Sequence, residues 1–184
     1  MALITMDGVQ LEITSVSAPE ESRAPQRQPV VFLHEGLGSV AMWRDWPAAV
    51  CQATGRSGWV YSRRGYGQSS PAPEKLPPDY LHGEAWDVLP ALLDRLGAAR
   101  PVLLGHSDGA SIALLYASRF PVAACIVMAP HVMVEDVSIE SIAQARDAFQ
   151  DKSNGLRQRL ARYHADVDGA FWQWNDAWLN PAFR

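Results

Sequence analysis

One segment of five residues constrains the fold of this chain more than any other part of it. Residues 105–109 read Gly-His-Ser-Asp-Gly, which is the pattern G-x-S-x-G. The apolar run 102–104 precedes the segment, and the small and apolar residues of 109–118 predict a buried helix after it. The pattern therefore predicts a strand, a sharp turn with Ser107 at its tip, and a helix. Glycine is favoured on both sides of the turn because the strand and the helix pass close together there.

Composition and charge exclude several classes of protein. The chain has 184 residues, 48% hydrophobic and 20% charged, which is typical of one globular domain with its own core. The net charge of −4, without a basic stripe, argues against a nucleic-acid partner. Cys51 and Cys125 imply no disulfide framework and fit a reducing compartment. Residues 1–7 lack a signal-peptide pattern and no apolar run has the length of a membrane span, so we expect a cytoplasmic protein without a membrane partner.

Short β-favouring runs alternate with helical patterns between residues 30 and 128. This alternation predicts the α/β class, a mostly parallel sheet with helices on both faces. The predicted strands are residues 3–6, 9–13, 30–33, 59–61, 102–104 and 123–128. The predicted helices are residues 41–53, 80–96 and 109–118, and the predicted loops are residues 17–28 and 69–78. A hairpin turn is expected at Asp7-Gly8, a helix kink at Pro90 and a helix C-cap at Gly97.

Three marked segments follow predicted strands and should meet at the carboxyl edge of the sheet, where reactive groups collect. They are residues 34–39 (His-Glu-Gly-Leu-Gly-Ser), residues 62–67 (Ser-Arg-Arg-Gly-Tyr-Gly) and the segment around Ser107. After residue 131 the pattern changes to helices, predicted at 139–150, 155–164 and 170–179 without a strand between them. We therefore divide the chain into an α/β core, residues 1–133, and a helical cap region over the active edge, residues 134–184.

The order of these motifs resembles the α/β-hydrolase superfamily, and in particular its capped serine hydrolases. The resemblance rests on residues 34–39, 64–69 and 105–109, each of which follows a predicted strand, and it extends over the whole chain. It implies that Ser107 is a nucleophile, and that the acid and the histidine of its triad follow the cap. Both are therefore expected beyond Arg184, in a C-terminal third that this chain lacks. We expect the 184 residues alone to be weakly active or inactive.

The glycine-rich loop and the turn after Ser107 supply candidate oxyanion donors. Two backbone N–H groups aimed at a developing negative charge need no particular side chain. The amide of Gly36 occupies the position of the first donor, and the amide of Asp108 that of the second. The carboxylate of Asp108 has two interpretations, either a favourable charge in the first turn of a helix or a partner for a cationic group of the substrate.

A serine hydroxyl needs a general base within hydrogen-bond reach. His34 and His106 adjoin the active loops and are interpreted as groups that hold those loops. His131 directly follows a predicted strand and is interpreted as pocket lining or as a loop anchor. A triad of Ser107 with His131 and Asp136 is left open as an alternative that the spacing does not support.

Substrate contacts are predicted for residues of the glycine-rich loop, of the segment after residue 128 and of the last helix, namely Glu35, Leu37, His131, Trp174 and Trp178. Phe171, Trp174 and Trp178 share one helical stripe. Such a stripe either lines an apolar acyl pocket or is ordinary packing.

We expect a serine hydrolase that acts on small carboxylic esters or related acyl compounds through an acyl-enzyme on Ser107, without a metal or an organic cofactor. One alternative is a C–C bond hydrolase or an aminopeptidase with the same triad. Another is a catalytically inactive fragment or pseudoenzyme that serves as a binding module. A serine at the turn argues against dehalogenase and epoxide-hydrolase chemistry, which needs a carboxylate nucleophile. Besides a small-molecule acyl substrate, the flat, apolar strand 123–128 is expected to favour self-association or pairing with a complementing C-terminal segment.

Overall fold

The computed structural model describes residues 2–18, 27–72 and 75–183. Its strands are β1 (Ala2–Met6), β2 (Val9–Val16), β3 (Val30–Leu33), β4 (Gly58–Tyr61), β5 (Val102–His106) and β6 (Ala124–Met128). Its α-helices are α1 (Trp46–Thr54), α2 (Tyr80–Gly83), α3 (Leu89–Arg95), α4 (Asp108–Ala117), α5 (Asp136–Gln150), α6 (Leu156–Leu160) and α7 (Val167–Trp178). Strands alternate with helices as far as β6, and the predicted α/β class is confirmed.

All six strands belong to one sheet, in the order β1-β2-β4-β3-β5-β6. β1 and β2 form the predicted antiparallel hairpin, and its turn residues Asp7 and Gly8 have φ values of 47° and 80°. β2 is antiparallel to β4, whereas β3, β4, β5 and β6 run parallel to one another. The carboxyl ends of these four strands therefore lie at one edge of the sheet, and the loops that follow them meet there.

Helices cover both faces of the sheet, as predicted. On one face, α2, α3 and α4 enclose a core that contains Val31 and Leu33, both at most 1% exposed. On the other face, the fully buried Phe32 packs in a cluster with Cys51 of α1, and its ring meets Trp43 edge to face. Successive residues of β3 enter opposite cores, and this explains why the strand is apolar throughout instead of alternating.

The helix predicted at residues 41–53 is divided into two pieces. Val40–Trp43 forms a 3-10 turn, Arg44 has a φ of 51°, and α1 begins only at Trp46. Pro47 gives the reason, because proline has no N–H to donate and is accommodated in the first turn of a helix but not in its interior. The predicted loop at 17–28 lies mostly outside the described residues, and the described part of 69–78 contains no helix or strand.

The helix predicted at residues 80–96 consists of α2, a π-helical segment (Glu84–Val88) and α3. The N–H of Leu89 donates to the carbonyl of Glu84, five residues earlier. Pro90 follows directly and cannot continue the hydrogen-bond ladder, so the wider turn before it accommodates the proline ring. The kink expected at Pro90 therefore takes the form of a π turn. Gly97 follows the end of the helix in a left-handed conformation, with a φ of 65°, as predicted.

α5, α6 and α7 follow β6, and no strand separates them in the described part of the chain. They share a small apolar cluster in which the rings of Phe149 and Phe171 stack with centroids 3.8 Å apart. α6 ends at Leu160 and is shorter than predicted. Asp166 begins α7 by accepting a hydrogen bond from the N–H of Gly169. None of the described helices is long and apolar enough to cross a membrane.

β6 is the last strand of the sheet and pairs only with β5 in the described part of the chain. Its neighbourhood is incompletely covered, since Ile126 is 47% exposed and Leu114 of α4 is 38% exposed. The strand reads Ala-Cys-Ile-Val-Met and carries no charge that would discourage another strand from pairing with it. These features support the proposal that a strand of a second copy, or of a complementing segment, pairs with this edge.

We expect the chain to self-associate with increasing concentration, giving masses above 20.2 kDa by light scattering. Ile126→Lys should weaken this association, because a lysine on an edge strand opposes pairing with another strand. Leu3→Lys is the matched control, since Leu3 is 51% exposed on β1 at the opposite edge. A wild-type particle of 20.2 kDa at every concentration would contradict the prediction.

Candidate active site

Ser107 lies at the tip of the turn between β5 and α4, with φ 54° and ψ −118°. This conformation is costly for a residue with a side chain and is kept only where the surroundings enforce it. Here the Ser107 N–H donates to the carbonyl of Met128 at the end of β6, at 2.9 Å. A Cβ on Gly105 would overlap the backbone of Gly109, and a Cβ on Gly109 would overlap the backbone of Leu33. Both glycines of the motif are therefore required by close backbone approach.

The imidazole of His131 lies next to Ser107. Its Nε2 is 3.1 Å from the hydroxyl oxygen of Ser107, which is hydrogen-bond distance. Ser111 of α4 holds the backbone of His131 on both sides, since its hydroxyl accepts from the His131 N–H at 2.9 Å and donates to the His131 carbonyl at 3.0 Å. The ring of His131 also meets Trp178 edge to face, with centroids 4.7 Å apart. The interpretation of His131 as pocket lining or loop anchor did not include this contact with the serine. The alternative that paired Ser107 with His131 did include it.

The carboxylate of Asp108 points away from the serine hydroxyl and into the core. Asp108 is 1% exposed, and its Oδ2 accepts a hydrogen bond of 2.6 Å from the hydroxyl of Tyr80 on α2. Burial, and then the neighbouring Asp108 carboxylate, hold the pKa of Tyr80 well above 10.0, so that this phenol keeps its proton and remains a donor. A buried, hydrogen-bonded carboxylate is not available to a cationic substrate, and that interpretation of Asp108 is not supported.

The loop that follows β3 is held rigidly by His34. The ring is fully buried; its Nε2 accepts the N–H of Arg63 at 3.0 Å, so its Nδ1 carries the proton and donates to the carbonyl of Glu35 at 2.7 Å. The guanidinium of Arg63 donates to the carbonyls of His34 and Glu35 as well. Burial and the nearby Arg63 hold the pKa of His34 well below 6.5. The role predicted for His34, a loop-holding group, agrees with these contacts.

The cap helices attach to the same loop. A Cβ on Gly36 would overlap the indole of Trp174 on α7, so only a glycine lets these two elements approach. His164, which precedes α7, accepts the N–H of Gly67 on Nδ1 at 3.1 Å and donates from Nε2 to the carbonyl of Leu37 at 3.1 Å. The cap is therefore fastened to the loop that carries the candidate oxyanion donor. The roles of the Gly36 and Asp108 amides as oxyanion donors stay predictions.

An open cavity of about 270 Å³ lies in front of the serine. The side chains around it are those of Ser107, His131, Val137, Ser138, Ser141, Ile142, Trp174 and Trp178. Among the predicted contacts, His131, Trp174 and Trp178 line this cavity. Glu35 and Leu37 are not among the described residues around it, because Glu35 turns its carboxylate toward His106, 3.6 Å away, and Leu37 packs against the apolar cluster of the cap.

The four lining residues of α5 were not predicted from the sequence. They lie on one side of the helix as two pairs of residues four positions apart, Val137 with Ser141 and Ser138 with Ile142, because residues at that spacing share a face. The sequence shows such a face but not that it turns toward Ser107. Phe171, in contrast, shares a stripe with Trp174 yet is fully buried against Phe149, so for this residue the packing alternative is correct.

In the described part of the chain, no group of three or more acidic, cysteine or histidine side chains could hold a metal ion.

Gly36→Ala should destabilise the protein, because the added methyl group displaces Trp174 and overpacking of this kind costs about 1–3 kcal/mol. Gly83→Ala is the matched control, since a Cβ on Gly83 meets nothing within 4 Å and its effect should stay within about 1 kcal/mol. Urea unfolding of both variants measures the difference. Equal free energies of unfolding for the two variants would contradict the prediction, because they would show that Trp174 can move aside without loss of stability.

The free energy of unfolding should fall as the pH decreases below 6.5. There the unfolded chain binds a proton at His34 and the folded protein does not, so each pH unit costs up to about 1.4 kcal/mol until the lowered pKa is reached. His164, whose pKa burial also lowers, acts in the same direction. Urea unfolding at several pH values should give a smaller slope for His34→Asn, which cannot titrate there. Parallel slopes for the variant and the wild type would contradict the assignment.

Comparisons with known proteins identify the family to which this fold belongs. The family model for the alpha/beta hydrolase fold matches residues 28–180. A bifunctional esterase/perhydrolase of Acinetobacter calcoaceticus is 27% identical over 159 residues, which are 82% of this chain and 55% of the relative. Epoxide hydrolase A of Mycobacterium tuberculosis is 33% identical over 129 residues, 67% of this chain and 37% of the relative. The chain thus spans about half or less of the length of these two relatives.

Solved structures show the same fold. One of a carboxylesterase from Nitrososphaera gargenis matches with a TM-score of 0.72, over 97% of this chain and 72% of the other. At 18% identity this likeness concerns the fold alone. The family model covers most of the chain, from the loop before β3 to the end of α7, and includes the Ser107 turn. The chain belongs to the α/β-hydrolase family.

Proposed function

We propose that this chain is the nucleophile-bearing part of a serine hydrolase that acts on small carboxylic esters or related acyl compounds. The observation that carries the proposal is Ser107 itself, whose strained turn presents its hydroxyl to a cavity. In acyl transfer, Ser107 Oγ would attack the carbonyl carbon and expel the alcohol, giving an ester of the serine. Water would then hydrolyse this acyl-enzyme and release the carboxylic acid.

The cavity supports an uncharged acyl group of modest size. Its lining is aromatic and aliphatic apart from His131 and three serine hydroxyls, and it has no charged lysine, arginine or carboxylate among the described residues around it. One of those hydroxyls, on Ser141, donates to the carbonyl of Val137 within α5. A volume of about 270 Å³ has room for the acyl group of a small ester.

The related proteins support hydrolysis but differ in the bond that they cleave. One relative is an esterase/perhydrolase and another is an epoxide hydrolase. Opening of an epoxide through a covalent intermediate needs a carboxylate nucleophile, and the turn of this chain carries a serine instead. The ester-hydrolase assignment is therefore preferred over the epoxide-hydrolase one.

Ser107→Ala should reduce hydrolysis of nitrophenyl acetate to the rate of the uncatalysed control and abolish labelling by a fluorophosphonate probe. The variant loses the oxygen that is proposed to form the covalent intermediate, and this typically costs several orders of magnitude in rate. Ser118→Ala is the matched control, because Ser118 is an exposed serine at the other end of α4. Peptide mapping of the labelled protein should find the probe on Ser107. Labelling that persists in Ser107→Ala would refute the proposed function.

A further inference from the structure

His131 is placed as a base would be. We propose that His131 is the general base that activates Ser107, so that the chain contains a Ser107–His131 pair competent for acylation. This inference rests on the proposed function of Ser107 as a nucleophile. Its starting point is the 3.1 Å separation between Nε2 of His131 and Oγ of Ser107, within the range over which a proton passes from a hydroxyl to an imidazole.

The topology of the sheet brings the pair together. β5 and β6 are neighbouring parallel strands, and their register sets His106 opposite Met128. Ser107 follows β5 directly and His131 follows β6 by three residues, so both project from the carboxyl edge. The hydrogen bond from the Ser107 N–H to the Met128 carbonyl ties the two strand ends to each other at the point where the chain leaves the sheet.

The backbone around His131 is held in a conformation that directs the imidazole toward Ser107. Ala129 has a φ of 50°, a conformation that residues with a side chain rarely adopt. The two hydrogen bonds between the Ser111 hydroxyl and the backbone of His131 then fasten the segment to α4. Trp178, 2% exposed, closes the side of the ring that it contacts. Hydrogen bonds to the backbone and ring packing of this kind are typical of a catalytic group that is held in position. A histidine that only lines a pocket does not need them.

The other histidines are engaged elsewhere. The chain has five, and all of them lie in the described residues. Both ring nitrogens of His34 and of His164 are hydrogen-bonded to the backbone. His82 packs edge to face against Trp86, and His106 turns toward Glu35. His131 is the histidine in contact with the serine hydroxyl.

The proton balance of the reaction is complete with this pair. As Ser107 Oγ forms its bond to the carbonyl carbon, its proton passes to Nε2 of His131, and the carbonyl π electrons move to the oxyanion. Collapse of the intermediate breaks the bond to the leaving oxygen, which takes the proton from the imidazolium. In deacylation a water molecule attacks the acyl carbon and gives its proton to Nε2, and the serine oxygen recovers that proton when it leaves.

Two neighbours orient the imidazole of His131. Trp178 contacts the ring edge to face, and the Ser111 hydroxyl holds the backbone that carries it. The ring therefore faces the serine hydroxyl without having to be ordered during the reaction. A Ser107-dependent acylation follows from this geometry.

The test measures the rate at which a fluorophosphonate labels Ser107 in the wild type, His131→Ala, His131→Gln and the control His82→Gln. Loss of a general base typically costs about 10²–10⁴-fold, so both His131 variants should fall by at least about 100-fold while His82→Gln stays near the wild type. Glutamine accepts a hydrogen bond from the serine but takes up no proton. It would preserve labelling if His131 only positioned the hydroxyl. Free imidazole should restore part of the rate to His131→Ala, with Ser107→Ala as the background.

The outcomes separate this inference from the proposed function. Wild-type labelling rates in a folded His131→Gln, together with no labelling in Ser107→Ala, would overturn the role of His131 and leave Ser107 as the nucleophile. Absence of Ser107-dependent labelling in the wild type would overturn both. Far-ultraviolet circular dichroism and urea unfolding show whether each variant is folded. Imidazole rescue, which a misfolded site would not give, confirms the assignment even if one variant is destabilised.

Discussion

The structure depends on how closely the start of α4 approaches β3 and β5. Gly105 and Gly109 lie against each other, and Gly109 lies against the backbone of Leu33, with no room for a Cβ at either glycine. This approach forces Ser107 into a conformation with a positive φ and places its hydroxyl at the carboxyl edge of the sheet. The cost of a strained residue, of order 1–3 kcal/mol, is offset by the two cores that the sheet buries on its faces.

Buried polar side chains stabilise the Ser107 turn and the neighbouring loop from the core side. Tyr80 holds the Asp108 carboxylate, and Arg63, 3% exposed, binds the carbonyls of the loop after β3. Such groups are costly to bury unless they are hydrogen-bonded, and in return they fix one arrangement of the loops. The network explains why charged and phenolic side chains lie directly beneath a site whose open face is largely apolar.

The cap and the core are coupled through one loop. His164 and Trp174, both from the last third of the chain, contact the glycine-rich loop after β3, which also carries Gly36. The walls of the cavity thus come largely from α5 and α7, whereas Ser107 comes from the turn between β5 and α4. A displacement of the cap would therefore change the shape of the cavity and the position of the candidate oxyanion donor together. Under the proposed function, the selection of the acyl group and the binding of the oxyanion would therefore be coupled.

The sequence by itself determined the elements with strong local signals. The G-x-S-x-G turn, the apolar β3, the Asp7-Gly8 hairpin and the alternation of strands and helices all rest on short-range patterns, and each is present in the structure. Local signals were less reliable where proline intervened, as in the break before Pro47 and the π turn before Pro90, because the patterns show where a helix is disturbed but not how.

Only the tertiary structure decided which side chains surround Ser107. The contact with His131 depends on strand register and on a left-handed Ala129, which no local propensity favours. Asp108 faces inward because Tyr80, 28 residues earlier, meets it in the core. The lining face of α5 is set by how the cap docks on the glycine-rich loop. Local sequence patterns determine whether a segment forms a strand, a turn or a helix. Which side chains contact one another depends on packing between segments that are far apart in the sequence.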